Sequence, residues 1–253
     1  SAQGAAPAGN LLMNSDFETV TAKSTWLNQV APEHVSEWRA AGNPVFAVDQ
    51  DVYYSGSRSV SIPGTASGTD RGAITLPAAG IEAGKSYLLT GMYKLEQVTD
   101  QVVVRFQYKR NGSSSISYAV QGQKGTRDWT RFSHVIHVAS DMDASPQGKV
   151  EAFLEKSAGT VWFDQLSLRE YVPLEEFTLD PQIISLRTGE AGRIQASFAP
   201  ENASDTFLEW SSSNTVTASV YQTGEVAAHH AGYSVISAAS HSSGVTRQAV
   251  VTV

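Results

Sequence analysis

The sequence predicts an all-β chain of two β-sandwiches in tandem. Three observations carry that prediction. No long stretch repeats apolar residues at i, i+3, i+4 and i+7, so no amphipathic helix is indicated. Apolar runs are short, often alternate with polar residues, and stop at Gly, Asn, Asp or Pro about every 8–12 residues. The strand pattern also breaks at VPLEE, around Pro173, and then starts again.

The elements follow in chain order. Residues 1–9 are small and polar, lack an apolar signal-peptide core, and read as a linker or the remains of processing. Residues 10–171 form the expected first sandwich. SYLLTGMYKLEQV (86–98) sets Tyr87, Leu89, Gly91, Tyr93 and Leu95 against Leu88, Thr90, Met92 and Lys94. DQVVVRFQYKR (100–110) sets Val102, Val104, Phe106 and Tyr108 against Val103, Arg105 and Gln107. Asn111-Gly112 is a hairpin turn signal, because both residues tolerate positive φ. SISYAVQG (115–122) returns, with Tyr118 expected in the core beside Ile116 and Val120. TRFSHVIHV (130–138) puts Phe132, His134, Ile136 and Val138 on one face, with Arg131, Ser133, Val135 and His137 on the other. KVEAFLE and GTVWFDQLSLREY complete the set. One apolar and one mixed face per strand suits two sheets packed face to face.

Residues 172–253 form the expected second sandwich. Turn signals at Asp180-Pro181, Thr188-Gly189, Pro200 to Asn202, Ser211 to Asn214, Gln222 to Gly224 and Ser242 to Gly244 leave room for seven or eight short strands. That density fits a small Greek-key sandwich.

Composition excludes several function classes. Cysteine is absent, which removes a disulfide scaffold, a thiolate metal site and a Cys nucleophile. No apolar run reaches the roughly 18–20 residues that span a bilayer, so membrane insertion is not expected. The net charge of −7 disfavours nucleic acid as a partner. The segment 85–131 is nevertheless basic, with Lys85, Lys94, Arg105, Lys109, Arg110, Lys124, Arg127 and Arg131 against Glu96, Asp100 and Asp128. No G-x-S-x-G elbow, H-E-x-x-H pair or P-loop occurs. His134 and His137 fall on opposite strand faces, and the outward positions offer few acids beyond Glu151 and Glu155. An enzyme is not expected.

The second part resembles the group 2 bacterial immunoglobulin-like domain. The resemblance lies in LDPQIISLRTGEAGRIQASFAPENASD, LEWSSSN, VYQTGEVAAHHAGYSVISAAS and the closing VVTV. It places Ile184 and Leu186 in the first strands, Gly189 at a turn before a long strand to Phe198, Trp210 in the core, and Gly224 and Gly232 in tight turns. It implies an extracellular spacer without a site of its own.

The first part resembles jelly-roll carbohydrate-binding modules of the families 4, 9, 16 and 22 type. The resemblance rests on six pieces in order: Asn10-Leu11-Leu12 with Asn14 to Glu18, Trp38, Tyr54 to Val60, Ala83 to Tyr87, Trp129 to Phe132, and Val161 to Leu168. It implies a jelly-roll sandwich with Trp38, Tyr87, Trp129 and Phe132 as packing residues. Ser15 and Gln165 depart from the common residues of the pattern. The resemblance also implies a structural calcium ion, with Asp16, Glu18, Ser57 and Asp164 as its expected ligands. Carboxylates and carbonyls are the hard oxygens calcium takes.

A sugar site needs aromatic planes for the CH faces of a pyranose and polar groups for its hydroxyls. Alternation puts Lys94, Arg105, Gln107 and His137 outward, and Trp26, in a polar insertion, offers a loop platform. Met92 stands outward where the family often has an aromatic. Arg105 with Lys94 suits the carboxylate of a uronate, because guanidinium can grip carboxylate through two parallel hydrogen bonds. The expected protein is therefore a non-catalytic, secreted or surface-attached bacterial module that binds a polysaccharide, with a preference for acidic glycans. It would be monomeric and would accompany catalytic or cell-wall-anchoring domains of one parent chain. The alternative is a structural or adhesive spacer with no working sugar site.

Overall fold

A computed structural model describes residues 9–27, 29–39, 46–64, 71–145 and 148–253, with the side chains of Trp38 and Arg39 outside that description. The expected N-terminal linker falls outside it but for its last residue, and so does the core role expected of the Trp38 side chain. All regular structure among the described residues is β-strand. The chain divides into two units, Ser1–Glu170 and Tyr171–Val253.

The first unit holds β1 (Val20–Ala22), β2 (Val30–Pro32), β3 (Ser36–Arg39), β4 (Ala47–Asp49), β5 (Ser59–Pro63), β6 (Arg71–Pro77), β7 (Ser86–Arg110), β8 (Ser113–His137), β9 (Lys149–Glu155) and β10 (Thr160–Glu170). Its architecture turns on β7 and β8, a hairpin of two 25-residue strands. Residues 87–96 of β7 pair with β10, whereas 101–107 pair with β9. One long hairpin therefore belongs to two layers. The first layer runs β4-β5-β10-β7-β8, and the second runs β3-β6-β9-β7-β8.

The fold-over between layers has local causes. The β7–β8 register slips repeatedly between Tyr93 and Arg105, and each slip bends and twists the ribbon. Gln97, Gly122 and Gly125 sit there at positive φ. The bend brings Ser117 and His134, both on β8, within 2.8 Å across the open side of the sandwich.

Alternation then fills the space between the layers. Tyr87, Leu89, Tyr93 and Leu95 from the first layer pack with Val102, Val104, Phe106, Val150 and Leu154 from the second in one core. Gly91 lies in this packing because a Cβ there would stand 2.5 Å from Leu166 and 2.7 Å from Phe132. Tyr87 and Phe132 are core residues, as the resemblance implied.

Trp129 lies outside the core cluster and is only half-buried, contrary to the packing role that the resemblance implied. Two further placements differ from the sequence expectation. Val120 is buried, but Ile116 and Tyr118 are exposed. Val104 pairs with Val120 and Arg105 with Tyr118, so β8 spends one extra residue at Ala119. That bulge resets the alternation and turns Tyr118 outward. Trp26 is the second case. It is 2% exposed, packs on Phe46 at 5.4 Å between ring centroids, and donates its Nε1–H to Glu37. It anchors the insertion and offers no platform to solvent.

The second unit holds β11 (Glu176–Asp180), β12 (Ile183–Ser185), β13 (Ala191–Arg193), β14 (Gln195–Ala199), β15 (Glu209–Ser212), β16 (Ala218–Val220), β17 (Glu225–Ala228), β18 (Tyr233–Ala239) and β19 (Thr246–Thr252). Its sheets are β12-β19-β18-β15, β13-β17-β16 and β11-β14. They enclose a separate core around Phe177, Ile194, Val226, Ile236 and Val251. Ile184, Leu186 and Trp210 pack against that core. The long strand expected up to Phe198 is instead two, interrupted at Ile194, whose amide bonds the Gly224 carbonyl. Gly224 has φ +78, and a Cβ there would stand 2.3 Å from the Ile194 carbonyl oxygen.

Candidate functional site

The outward side chains of the second layer form a continuous polar face. Phe153 on β9 lies at its centre, flanked by Val103 and Ala73 in a small apolar cluster of its own. Arg71 stacks on the Phe153 ring with its guanidinium carbon 4.2 Å from the centroid, and Arg105 does so at 5.1 Å. The ring is thereby buried under two cations, an arrangement favoured by its quadrupole.

Carboxylates hold those cations in place. Arg105 donates from Nε and Nη2 to Glu151 Oε2, each at 2.7 Å. Lys149 reaches the other Glu151 oxygen at 2.6 Å. Arg71 lies 3.1 Å from Glu155 Oε1, while Gln101 donates to Glu155 Oε2 at 3.1 Å. Burial acts to raise the Glu151 carboxyl, but Lys149 and Arg105 hold it below its ordinary value. Gln107 and Lys109 both donate to Ser114 Oγ. Along the hairpin edge Tyr118 is 42% exposed, with Ile116 beside it on the same face. Four basic side chains (Arg71, Arg105, Lys109, Lys149) thus share the face with two carboxylates, two aromatic rings and several amide and hydroxyl groups.

The predicted sugar contacts do not gather in one place. Arg105 and Gln107 lie on this face. Lys94 and His137 lie on the outer face of the first layer, where Lys94 pairs with Asp128 at 2.7 Å and His137 Nδ1 meets Ser86 Oγ at 2.8 Å. The pairing of Arg105 with Lys94 is therefore overturned. They extend from opposite sides of the sandwich, because β7 changes layers between them. Met92 does lie on the outer side of the first layer, yet it is buried between Asp164 and Arg131 on the neighbouring strands.

Phe153, Arg71 and Tyr118 escaped the sequence reading. Phe153 had a usable signal, since it alternates in register with Glu151 and Glu155 and against Val150, Ala152 and Leu154. Tyr118 had none, because the bulge that exposes it leaves no mark in local composition.

The expected calcium ligands converge in part. Glu18 Oε1 accepts the Ser57 and Arg58 amides at 2.7 and 3.0 Å, and its Oε2 accepts Ser57 Oγ–H at 2.7 Å. Asp164 is fully buried on β10, and its carboxylate accepts the amides of Tyr54, Ser55 and Gln165. Burial pushes the Asp164 carboxyl up to about 6 against the pull of those amides, and the Glu18 charge adds to the rise. Asp16 accepts the Glu18 amide within the same turn. Two carboxylates thus hold the 54–58 loop from two sides. Among the described residues no three His, Asp or Glu side chains cluster to hold a metal. This donor set fits calcium only with carbonyl oxygens added to Glu18 and Asp164.

The chain is thus an all-β sandwich with a polar outer face, followed by a smaller sandwich with its own core. The chain belongs to the carbohydrate binding domain family, whose model matches residues 9–154, more than half of its length. Residues 173–253 match the bacterial Ig-like domain, group 2. The chain therefore pairs a jelly-roll carbohydrate-binding module with an immunoglobulin-like domain. Among solved structures it is similar to the enzymatically active domain of bacteriophage CBA120 tailspike protein 4. That similarity has 11% identity and a TM-score of 0.49, and covers 64% of this chain but only 21% of that one. It is also similar to a family 16 carbohydrate binding module, with 16% identity, TM-score 0.46, and coverage of 64% and 100%. A third is the xylan-binding domain from family 22, with 11% identity, TM-score 0.43, and coverage of 62% and 97%. Comparison with curated proteins returns no match.

Proposed function

We propose that the first unit binds a polysaccharide across the outer face of its second layer, without catalysing its cleavage. The single observation that carries this reading is the cluster of Arg71 and Arg105 over Phe153, bordered by the exposed Tyr118. It combines planar groups for stacking with fixed donors and acceptors for hydroxyls. The second unit would space this face from neighbouring domains, catalytic or wall-anchoring, of a secreted or surface-attached bacterial parent chain.

The finer reading is an acidic glycan. Its support is the excess of cations on the face. Arg105 and Lys149 already meet Glu151 and Arg71 meets Glu155, so a uronate would be met by Lys109 and by the donor positions of the other three cations that those carboxylates leave open. The test is affinity electrophoresis against neutral and uronate-containing polysaccharides. Retardation should be strongest on an acidic glycan and should fall with added salt, since exposed charges are screened. Tyr118→Ala should weaken it by about tenfold, the value of one good stacking contact at roughly 1.4 kcal/mol. Salt-independent retardation on a neutral glucan would reject the acidic reading. A folded protein retarded by no glycan would reject sugar binding and favour a purely structural segment.

Calcium is part of the same proposal, with Glu18, Asp164 and carbonyls of the 54–58 loop as its ligands. Its support is the convergence of two acids on one loop, where the Glu18 charge, itself paired with Arg58 at 3.4 Å, raises the buried Asp164 carboxyl. Ligand linkage then requires the melting temperature to rise with calcium and drop with chelator. Identical melting curves in calcium and in chelator would remove the ion from the reading.

A further inference from the structure

The outer face of the first layer carries aromatic surface as well. The 50–58 loop crosses it and is fixed there by the Tyr54 and Ser55 amides on Asp164. Tyr54 is 42% exposed and meets Trp129 of β8 edge to face, with 6.0 Å between ring centroids. Lys94 of β7 reaches Asp128 at 2.7 Å, and the same carboxylate oxygen accepts the Trp129 amide. The Asp128 side chain is 86% exposed. Trp162 of β10 stands beside Lys94 in the sheet and donates its indole N–H to Asp49 at 2.8 Å.

This arrangement has the elements of a sugar subsite. Two partly exposed rings meet edge to face on anchored backbone, with the Tyr54 amide bonded to Asp164 and Trp129 in strand β8. An acceptor and a donor already paired with each other border them. A pyranose presents an apolar CH face to such rings and hydroxyls to such a rim. Nothing comparable explains the exposed rings as core packing, since Tyr54 lies outside the core cluster.

From this geometry we infer that Tyr54, Trp129, Lys94 and Asp128 form a second glycan subsite, on the side of the sandwich opposite Phe153. The inference rests on the reading that the module binds polysaccharide, and it adds that each module holds two chains. A protein with two opposed subsites crosslinks soluble polysaccharide, whereas one subsite binds without crosslinking.

The test uses the full chain with three variants: Tyr54→Ala, Asp128→Ala and Tyr118→Ala. Electrophoretic retardation reports binding, and turbidity of a soluble polysaccharide reports crosslinking. The wild-type chain should do both. Each variant should lose the turbidity yet keep weakened retardation, because one face remains. Asp128→Ala guards against misfolding, since its side chain is exposed and outside the core. Turbidity and retardation unchanged in Tyr54→Ala and Asp128→Ala would overturn the second subsite while leaving the first intact. Complete loss of retardation in Tyr118→Ala would overturn it also, by assigning all binding to the Phe153 side. Loss in the first two variants with none in Tyr118→Ala would uphold this subsite and remove the other. No retardation of the wild-type chain would end both readings.

Discussion

At the scale of single residues, burial separates the aromatic side chains by role. Trp26 looks like a ligand platform in sequence because its neighbours are polar. In the fold those neighbours serve it: Glu37 takes its indole N–H and also binds Lys23 and Thr25. Burial works to raise the Glu37 carboxyl, but these partners hold it below its ordinary value of 4.5. A carboxyl lowered in the folded state stabilises above its unfolded value, and that contribution is lost as pH falls through the folded value. Trp26→Phe keeps most of the packing and removes one donor to the charge. It should cost about 1.5–3 kcal/mol in urea unfolding near neutral pH, with glycan retardation unchanged. The deficit relative to wild type should shrink as pH falls below the ordinary value of 4.5 and through the lowered value that the carboxyl has in the folded chain. A variant of wild-type stability with weakened retardation would restore Trp26 as a ligand residue.

At the scale of elements, the long hairpin decides what the module can present. Its two strands cross from layer to layer, so their outward side chains divide between two faces. The part of β7 ahead of the bend is closely packed on its inward side. Gly91 on β7 faces Leu166 and Phe132 at distances no Cβ could share. Gly91→Ala should therefore destabilise the first unit by about 1–3 kcal/mol through overpacking, read as a lower urea midpoint. An unchanged midpoint would mean that Leu166 and Phe132 repack freely. The alternating pattern of β7 and β8 was legible in sequence at nearly every inward position, from Tyr87 to Tyr108 and from Phe132 to Val138. The slips were not. A bulge costs one residue of register, and its local sequence, Tyr118-Ala119-Val120, reads like uninterrupted strand.

At the scale of the whole molecule, two cores serve two purposes. One supports faces with exposed rings and charges; the other encloses ordinary packing under short strands. A substitution confined to the second core should leave sugar binding alone. Gly224→Ala meets both tests of severity, a positive φ and a backbone oxygen 2.3 Å from the new Cβ. It should destabilise residues 171–253 by about 2 kcal/mol or more, with retardation on glycan gels as in wild type. Loss of retardation in a folded Gly224→Ala chain would show that the second unit takes part in binding.

The sequence by itself determined the all-β class, the apolar face of each strand, the hairpin at Asn111-Gly112 and the outward position of Arg105 and Gln107. Those follow from local rules: side chains alternate along a strand, and turns need residues that accept their backbone angles. Only the tertiary structure decided which outward residues share a face. Alternation distinguishes inside from outside, but a sandwich has two outsides, and β7 belongs to both. That is why Lys94 parts from Arg105, why Phe153 and Arg71 join it, and why Tyr54, distant in sequence, meets Trp129. Burial was settled at the same level, since Trp26 and Met92 are covered by segments far from them along the chain.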